Sequence, residues 1–276
     1  MFTHIIYHKA CPDGYGSAYV AWKVLGNDSA YIPQSYYDSP PNIKNGSILV
    51  CDFSFNYQTT KNYINNNKKF YNIDHHQSAF DNLDELDEKY KYFDINHSGI
   101  YLTWKYFFPD QPIPRFVNYI EDYDLWKFNY PETKPFMLAL NELPYKFDTW
   151  KKLENDDFIN ELIKKGKTLE SYQNNMIKMI SKAAKIKSQK FDEDSYKVAY
   201  INTNIFKNEI ANKLVSESEC DFSVAYNYDD KKNLTKFSLR SIDSKSDVGQ
   251  ICKSLGGGGH RNAAGFTRIG FYNSLI

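Results

Sequence analysis

Ser47-Ile48-Leu49-Val50-Cys51-Asp52 and Lys69-Phe70-Tyr71-Asn72-Ile73-Asp74-His75-His76 decide the fold. The first is a near-continuous apolar run that ends in a carboxylate. The second is a β-type run that ends the same way and passes at once into two histidines. Between them, Tyr57 to Asn66 reads as a helix. Upstream, His4-Ile5-Ile6-Tyr7-His8 reads as a strand, and the run from Gly14 through Ala18, Ala21 and Leu25 as a helix. Downstream, Ser98 suits the N-cap of a helix through Tyr101, Leu102 and Tyr106. Strands alternating with helices predict an α/β fold built on a doubly wound, mostly parallel sheet. In such sheets ligands sit at the carboxyl ends of the strands. His8 and Asp13, Asp52, and Asp74-His75-His76 occupy those ends, so metal-type side chains from three strands converge on one edge.

The rest of the chain reads as a second, smaller α/β domain behind a helical connection. Thr149 to Lys190 is expected to be largely helical, its Met and aromatic residues packing a core. Ser195 to Ile201, Asp221 to Tyr228 and Thr235 to Arg240 read as strands, and Asp247 to Leu255 as a helix. A glycine run, Gly256-Gly257-Gly258-Gly259, leads into His260-Arg261-Asn262-Ala263-Ala264-Gly265. The expected organisation is a domain over 1–150, a helical linker over 151–191 and a second domain over 192–276.

Composition removes several classes. The 276 residues carry 34 Lys plus Arg against 34 Asp plus Glu, so no global basic field exists to coat long duplex DNA. No apolar run approaches the ~18–20 residues of a membrane helix, and the amino terminus has neither a basic n-region nor a long apolar h-region. The four cysteines are scattered and form no Cys-x-x-Cys pair, which fits a reducing cytoplasm better than a disulfide scaffold or a structural zinc site. With 23 Tyr and 19 Phe, the core must lean on aromatic rings, and each buried hydroxyl needs a partner.

The strand-end residues carry the chemistry. As the chain turns off its strand, His75 and His76 can face one cleft, one binding a metal and the other a phosphate oxygen. Carboxylates with one or two imidazoles suit Mn²⁺, Mg²⁺ or Fe²⁺ better than zinc. Asp52 is placed to bridge two ions, and two metals about 3.5–4 Å apart suit in-line phosphoryl chemistry. His8-Lys9-Ala10-Cys11-Pro12-Asp13-Gly14 is a strand–turn–helix whose helix start favours anions. Ile120-Glu121-Asp122-Tyr123-Asp124 offers a further carboxylate. The glycine run, with His260 and Arg261, reads as an anion cradle of backbone N–H groups.

These stretches, in this order, resemble the DHH phosphoesterase superfamily with its associated C-terminal domain, over nearly the whole chain. The segment His8 to Gly14 looks like its first motif, Cys51-Asp52-Phe53-Ser54 its second, Asp74-His75-His76 its third, and Asp122-Tyr123-Asp124-Leu125-Trp126 its fourth. Ser238-Leu239-Arg240-Ser241 and Gly257 to Gly265 look like the substrate signature of the second domain. The resemblance implies two Mn²⁺ or Mg²⁺ ions on His8, Asp13, Asp52, His75 and Asp122, with Asp122 preferred to Asp124. It implies that His76 touches the scissile phosphate or acts as general acid, and that Asp74 orients its neighbours. It implies that Arg240, Gly257, Gly258, Gly259, His260 and Arg261 hold the substrate phosphate, in a cleft between the domains. One feature departs from the pattern. The first motif usually offers two Asp residues, and here either Cys11 or Tyr15 stands at one of those positions, which leaves the second metal short of a carboxylate. The implied activity is metal-dependent hydrolysis of small nucleotides or short single-stranded oligonucleotides, in the cytoplasm, with a homodimer allowed. The alternatives are a RecJ-like single-strand exonuclease and an inactive DHH-fold binding module; pyrophosphatase activity ranks below them.

Overall fold

The computed structural model describes residues 1–36, 38–191 and 194–275. The expected domain start at 192 therefore lies outside the described residues. The chain divides into two compact units, Met1–Glu170 and Ser171–Ile276.

The first unit runs β1 (His4–His8), α1 (Pro12–Leu25), β2 (Ala30–Gln34), β3 (Ser47–Cys51), α2 (Tyr57–Asn66), β4 (Lys69–Asp74), α3 (Gln77–Asn82), β5 (Lys91–Phe93), α4 (Gly99–Phe107), α5 (Arg115–Asp124), α6 (Thr133–Leu140) and α7 (Phe147–Trp150). Its sheet has the order β2-β1-β3-β4-β5, and every pair is parallel. Successive strand residues serve opposite faces. Ile5, Leu49, Cys51 and Ile73 pack with Ala21 and Leu25 of α1 and Leu102 of α4. Ile6, Ile48, Val50 and Phe70 pack with Phe53, Phe55 and Tyr63 of α2. A sheet covered on both faces explains why β3 reads as a near-continuous apolar run. The aromatic core satisfies its hydroxyls as required: Tyr63 donates to the Pro41 carbonyl at 2.7 Å, Tyr31 to the Gly26 carbonyl at 2.8 Å, and Tyr19 to Glu154. All four tryptophans belong to this unit, with Trp104 and Trp150 buried and Trp126 exposed at 45%.

Helix α8 (Asp156–Ser181) contains the divide between the units. It is followed by β6 (Lys185–Phe191), β7 (Asp194–Asn202), α9 (Lys207–Glu217), β8 (Phe222–Asp229), β9 (Leu234–Arg240), α10 (Val248–Ser254), β10 (Gly258–His260) and β11 (Ala263–Ile269). The sheet order is β10-β11-β9-β8-β7-β6, parallel between β7 and β8 and antiparallel elsewhere. One face packs on α10 through Val248 and Cys252, the other on α9 through Ile210, Ala211, Leu214 and Val215.

Two expectations are corrected here. Helix does not continue to Lys190: from Lys185 the chain pairs with β7 as an edge strand. The glycine run is not a free loop throughout, because Gly258–His260 pairs with Ala263–Gly265. Gly259 has φ +139, and a Cβ there would lie 2.5 Å from Ala264 Cα, so only glycine fits. Among the described residues no helix is long and apolar enough to cross a membrane.

Candidate metal centre

The carboxyl ends of β1, β3 and β4 bring His8, Asp52 and the Asp74-His75-His76 run together in the first unit. Asp52 follows the last residue of β3 with φ +54, a left-handed backbone that Asp and Asn tolerate better than most residues. Its N–H still donates to the Ile73 carbonyl at 2.9 Å, so the turn is anchored to β4. Asp13 sits in the first turn of α1 and points its carboxylate at the start of α4, accepting from Gly99 N at 2.7 Å and Ile100 N at 2.8 Å. Both N–H groups lie in the first turn of that helix, where they have no partner within the helix and favour an anion.

His75 Nε2 lies 3.1 Å from Asp52 Oδ1, 3.5 Å from Asp124 Oδ2 and 3.6 Å from Asp13 Oδ2. On the other side of Asp52, His8 Nδ1 lies 3.5 Å from Oδ2. The two oxygens of one carboxylate thus face different groups of donors. Asp13, His75 and Asp124 form one set and His8, Cys11 and Asp52 another, each with donor atoms within 4.8 Å of one another. Asp74 is engaged differently: it accepts from Ser54 Oγ at 2.5 Å and from the N–H groups of His75 and His76 at 2.7 and 3.2 Å, and pairs with His76 Nδ1 at 2.7 Å. These contacts tie it to both histidines, and Asp52, Asp74, His75 and His76 form a third set with donor atoms within 4.8 Å of one another.

The donor set fits a divalent cation. Asp52 Oδ2 and His8 Nδ1 are buried atoms with no hydrogen-bond partner. Buried polar atoms are rarely left so, and both are donor types for a divalent metal. Asp52 and Asp13 are each about 1% exposed. Burial and the neighbouring Asp13 push the Asp52 carboxyl well above its ordinary range. The same two causes raise Asp124, whose side chain keeps 26% exposure, to about 7. Burial pulls His76 down, but its hydrogen bond to Asp74 and the Asp74 and Asp52 charges outweigh this and raise it to about 9. Burial, joined by His76, holds His8 low.

This predicts how the metal-free protein responds to pH. A folded-state pKa raised above its unfolded value contributes stability that is lost as pH rises through the folded value. Asp124 loses its contribution as pH approaches about 7, and His76 between about 6.5 and 9. The melting temperature in chelator should therefore fall from pH 6.5 to 9. With Mn²⁺ at about a hundred times its Kd the gain is roughly 2.7 kcal/mol, several degrees for a chain of this size, and binding by deprotonated ligands improves with pH. Scanning calorimetry with and without metal checks this; identical slopes in both would mean that the cluster binds no cation.

The structure corrects one expected ligand. Asp122 is 2% exposed but engaged elsewhere, accepting from Asn129 N at 2.8 Å, Tyr130 N at 3.3 Å and Thr133 Oγ1 at 2.5 Å. Asp124, two residues on, faces His75 instead. Sequence reasoning also passed over Gly99, whose missing side chain leaves room for both carboxylates: a Cβ there would lie 2.5 Å from Asp52 Cβ and 2.9 Å from Asp13 Oδ2. A lone glycine after an N-cap serine carried no signal of that contact.

The expected substrate residues lie in the second unit. Ala263 pairs with His260 on one side and Arg240 on the other, so those two share a cross-strand row with a methyl group between them. His260 is exposed. Arg240 donates to Asn208 Oδ1 at 2.5 Å and to the Leu239 carbonyl at 2.8 Å. Arg261 is held by the Asp243 and Lys245 carbonyls at 3.1 Å each and by Asp247 at 3.5 Å. Its guanidinium secures the turn before α10.

No family model matches the chain. The uncharacterized protein R106 of Acanthamoeba polyphaga mimivirus is 31% identical over 288 residues, an alignment taking in 98% of this chain and 68% of that protein. Among solved structures, the pGpG-specific phosphodiesterase PggH from Vibrio cholerae matches with a TM-score of 0.57 at 12% identity, covering 96% of this chain and 93% of that one. An exopolyphosphatase-related protein from Bacteroides fragilis matches with a TM-score of 0.43 at 14% identity, covering 99% and 87%. At 12% identity the likeness to the phosphodiesterase is one of fold.

Proposed function

Since the chain belongs to one family with the mimivirus protein R106, itself uncharacterized, its activity has to be read from its own site, and we propose that it is a metal-dependent phosphoesterase of the DHH type. Its substrates are small nucleotides or short single-stranded oligonucleotides. The observation that carries the reading is the buried pair of Asp52 Oδ2 and His8 Nδ1, 3.5 Å apart and neither hydrogen-bonded, among the donors Asp13, His75 and Asp124.

Asp52, Asp13, His75, Asp124 and His8 hold divalent metal, Mn²⁺ or Mg²⁺ on the carboxylate-rich side. When bound, the metal supplies Lewis-acid polarisation of a phosphoryl group and a water ionised at neutral pH. The chain's own residues do the rest. Asp74 fixes His76 through its 2.7 Å contact and keeps it protonated at neutral pH. His76 then holds a phosphate oxygen or gives its proton to the leaving oxygen. In the second unit, Arg240, His260 and the backbone of Gly257, Gly258 and Gly259 anchor the terminal phosphate; Arg261 braces that turn. A chain with 34 cationic and 34 anionic side chains suits a small anionic ligand held locally.

The test is hydrolysis by chelator-stripped protein with Mn²⁺ or Mg²⁺ restored. The panel holds a dinucleotide, a five-mer, a cyclic dinucleotide, 3′-phosphoadenosine 5′-phosphate, a long single strand and pyrophosphate. Metal-dependent turnover of the short nucleotides is expected. Turnover of the long strand alone would transfer the chain to the exonuclease reading, and silence on every substrate would sink the proposal. His260→Ala should raise KM by about tenfold or more, the size of one lost charge-assisted hydrogen bond, with bound metal unchanged. A fall in bound metal would remove His260 from the substrate anchor.

A further inference from the structure

The two donor sets that meet at Asp52 are chemically unlike. Asp13, His75 and Asp124 form a set with oxygen in the majority, the preference of hard cations, and His75 Nε2 lies 3.1 Å from Asp52 Oδ1. His8, Cys11 and Asp52 offer one nitrogen, one sulfur and one oxygen, all within 4.8 Å. The turn that assembles the second set is a special one. His8 closes β1, Ala10 takes a left-handed backbone at φ +56, and Cys11 is the extended residue before Pro12 opens α1. A non-glycine residue held left-handed costs energy, and such strain gathers at functional sites. Cys11 does not spend its side chain on capping that helix. It is a free thiol of intermediate exposure, whereas Cys51, Cys220 and Cys252 are all buried, each within an apolar core. The thiol does not stand alone: the buried Asp52 Oδ2, on a side chain 1% exposed, has no hydrogen-bond partner, nor does His8 Nδ1.

We infer that His8, Cys11 and Asp52 form a metal position of their own, selective for a borderline cation such as Zn²⁺, Fe²⁺ or Co²⁺ over Mg²⁺. The inference rests on the reading of the cluster as a metal centre and adds a division of labour within it. Thiolate favours softer ions and is a poor match for Mg²⁺, while imidazole suits zinc, iron and cobalt alike. Binding at this position releases the Cys11 thiol proton to solvent and leaves the thiolate on the metal. The two positions share Asp52 yet differ in preference, so one chain takes up two kinds of cation.

The experiment is a Co²⁺ titration of the metal-stripped full chain followed by absorption, repeated with Cys11→Ser and Cys11→Asp. The expected result is a near-ultraviolet thiolate-to-cobalt charge-transfer band that saturates in the parent and is absent from both variants. Visible cobalt bands from the oxygen-rich position persist in all three proteins. Stoichiometric Zn²⁺ should abolish the charge-transfer band, and a large excess of Mg²⁺ should leave it. Visible bands without a charge-transfer band in the parent would overturn the thiolate position while the metal centre stood. A charge-transfer band surviving in Cys11→Ser would overturn it equally. No cobalt spectrum of either kind would sink the metal reading itself, and this inference with it.

Discussion

Asp52→Asn is expected to abolish divalent-metal binding and to lower kcat/KM on the substrate found by the panel by at least about a thousandfold. That is roughly 4 kcal/mol, within the several kcal/mol that a lost metal-supported step is worth. Both oxygens of Asp52 face metal-type donors, Oδ1 toward His75 at 3.1 Å and Oδ2 toward His8 at 3.5 Å. One substitution therefore disables both sides of the centre. Asn is the right replacement because it keeps the shape and tolerates the left-handed backbone at φ +54. The control is thermal. Metal-free Asp52→Asn should melt no lower than the metal-free parent, because the ionised Asp52 is penalised by burial and by Asp13. Elemental analysis and calorimetry check both halves. A variant that retains parental metal content would remove Asp52 from the centre.

Gly99→Ala has the second largest expected effect, and its sign opposes helix propensity. On an open helix the change would stabilise by up to about 1 kcal/mol. Here the new methyl group would sit 2.5 Å from Asp52 Cβ, 2.9 Å from Asp13 Oδ2 and 3.0 Å from Asp52 Cγ. Those neighbours are a backbone-anchored carboxylate and one held by Gly99 N and Ile100 N, so they yield only by moving the centre. Overpacking of this kind costs about 1–3 kcal/mol. Misplacing ligand carboxylates typically costs about 10–100-fold in metal affinity. Circular dichroism should show the fold retained while metal titration shows the loss. Parental affinity in the variant would mean that the start of α4 has slack.

Much of this was legible because parallel strands buried on both faces leave a plain mark. Residues 5–7 and 48–51 are apolar without alternation, 69–74 is a β-type run, and the three strands lead into His8, Asp52 and Asp74-His75-His76. Their shared edge follows from topology alone. What escaped was set by distant contacts or by weak edges. β2 contains Pro33 and lies at the sheet margin, where proline is tolerated, and β5 has only three residues. Residues 185–190 lie in an edge strand whose Lys, Ser and Gln content carries no alternating apolar pattern. Asp122 and Asp124 are two residues apart on α5, so their side chains project about 200° apart and only one can face His75. Which one does is settled by Asn129, Tyr130 and Thr133, which claim Asp122 from the following loop and helix. No spacing within the acidic stretch encodes that contact.

The placement of the tryptophans gives the chain an optical asymmetry. Trp22, Trp104, Trp126 and Trp150 all fall before Glu170, so residues 171–276 contain no indole. Selectively excited indole fluorescence therefore follows the first unit alone, whereas far-ultraviolet dichroism sums both. Melting curves recorded by the two methods separate the units without dissecting the chain. Trp126, exposed at 45% and two residues beyond Asp124, is the natural reporter of cation uptake at its own end of α5. Emission quenched by a paramagnetic ion and left unchanged by a phosphate-bearing ligand would register the metal centre and the anchor as separate events, in one label-free protein.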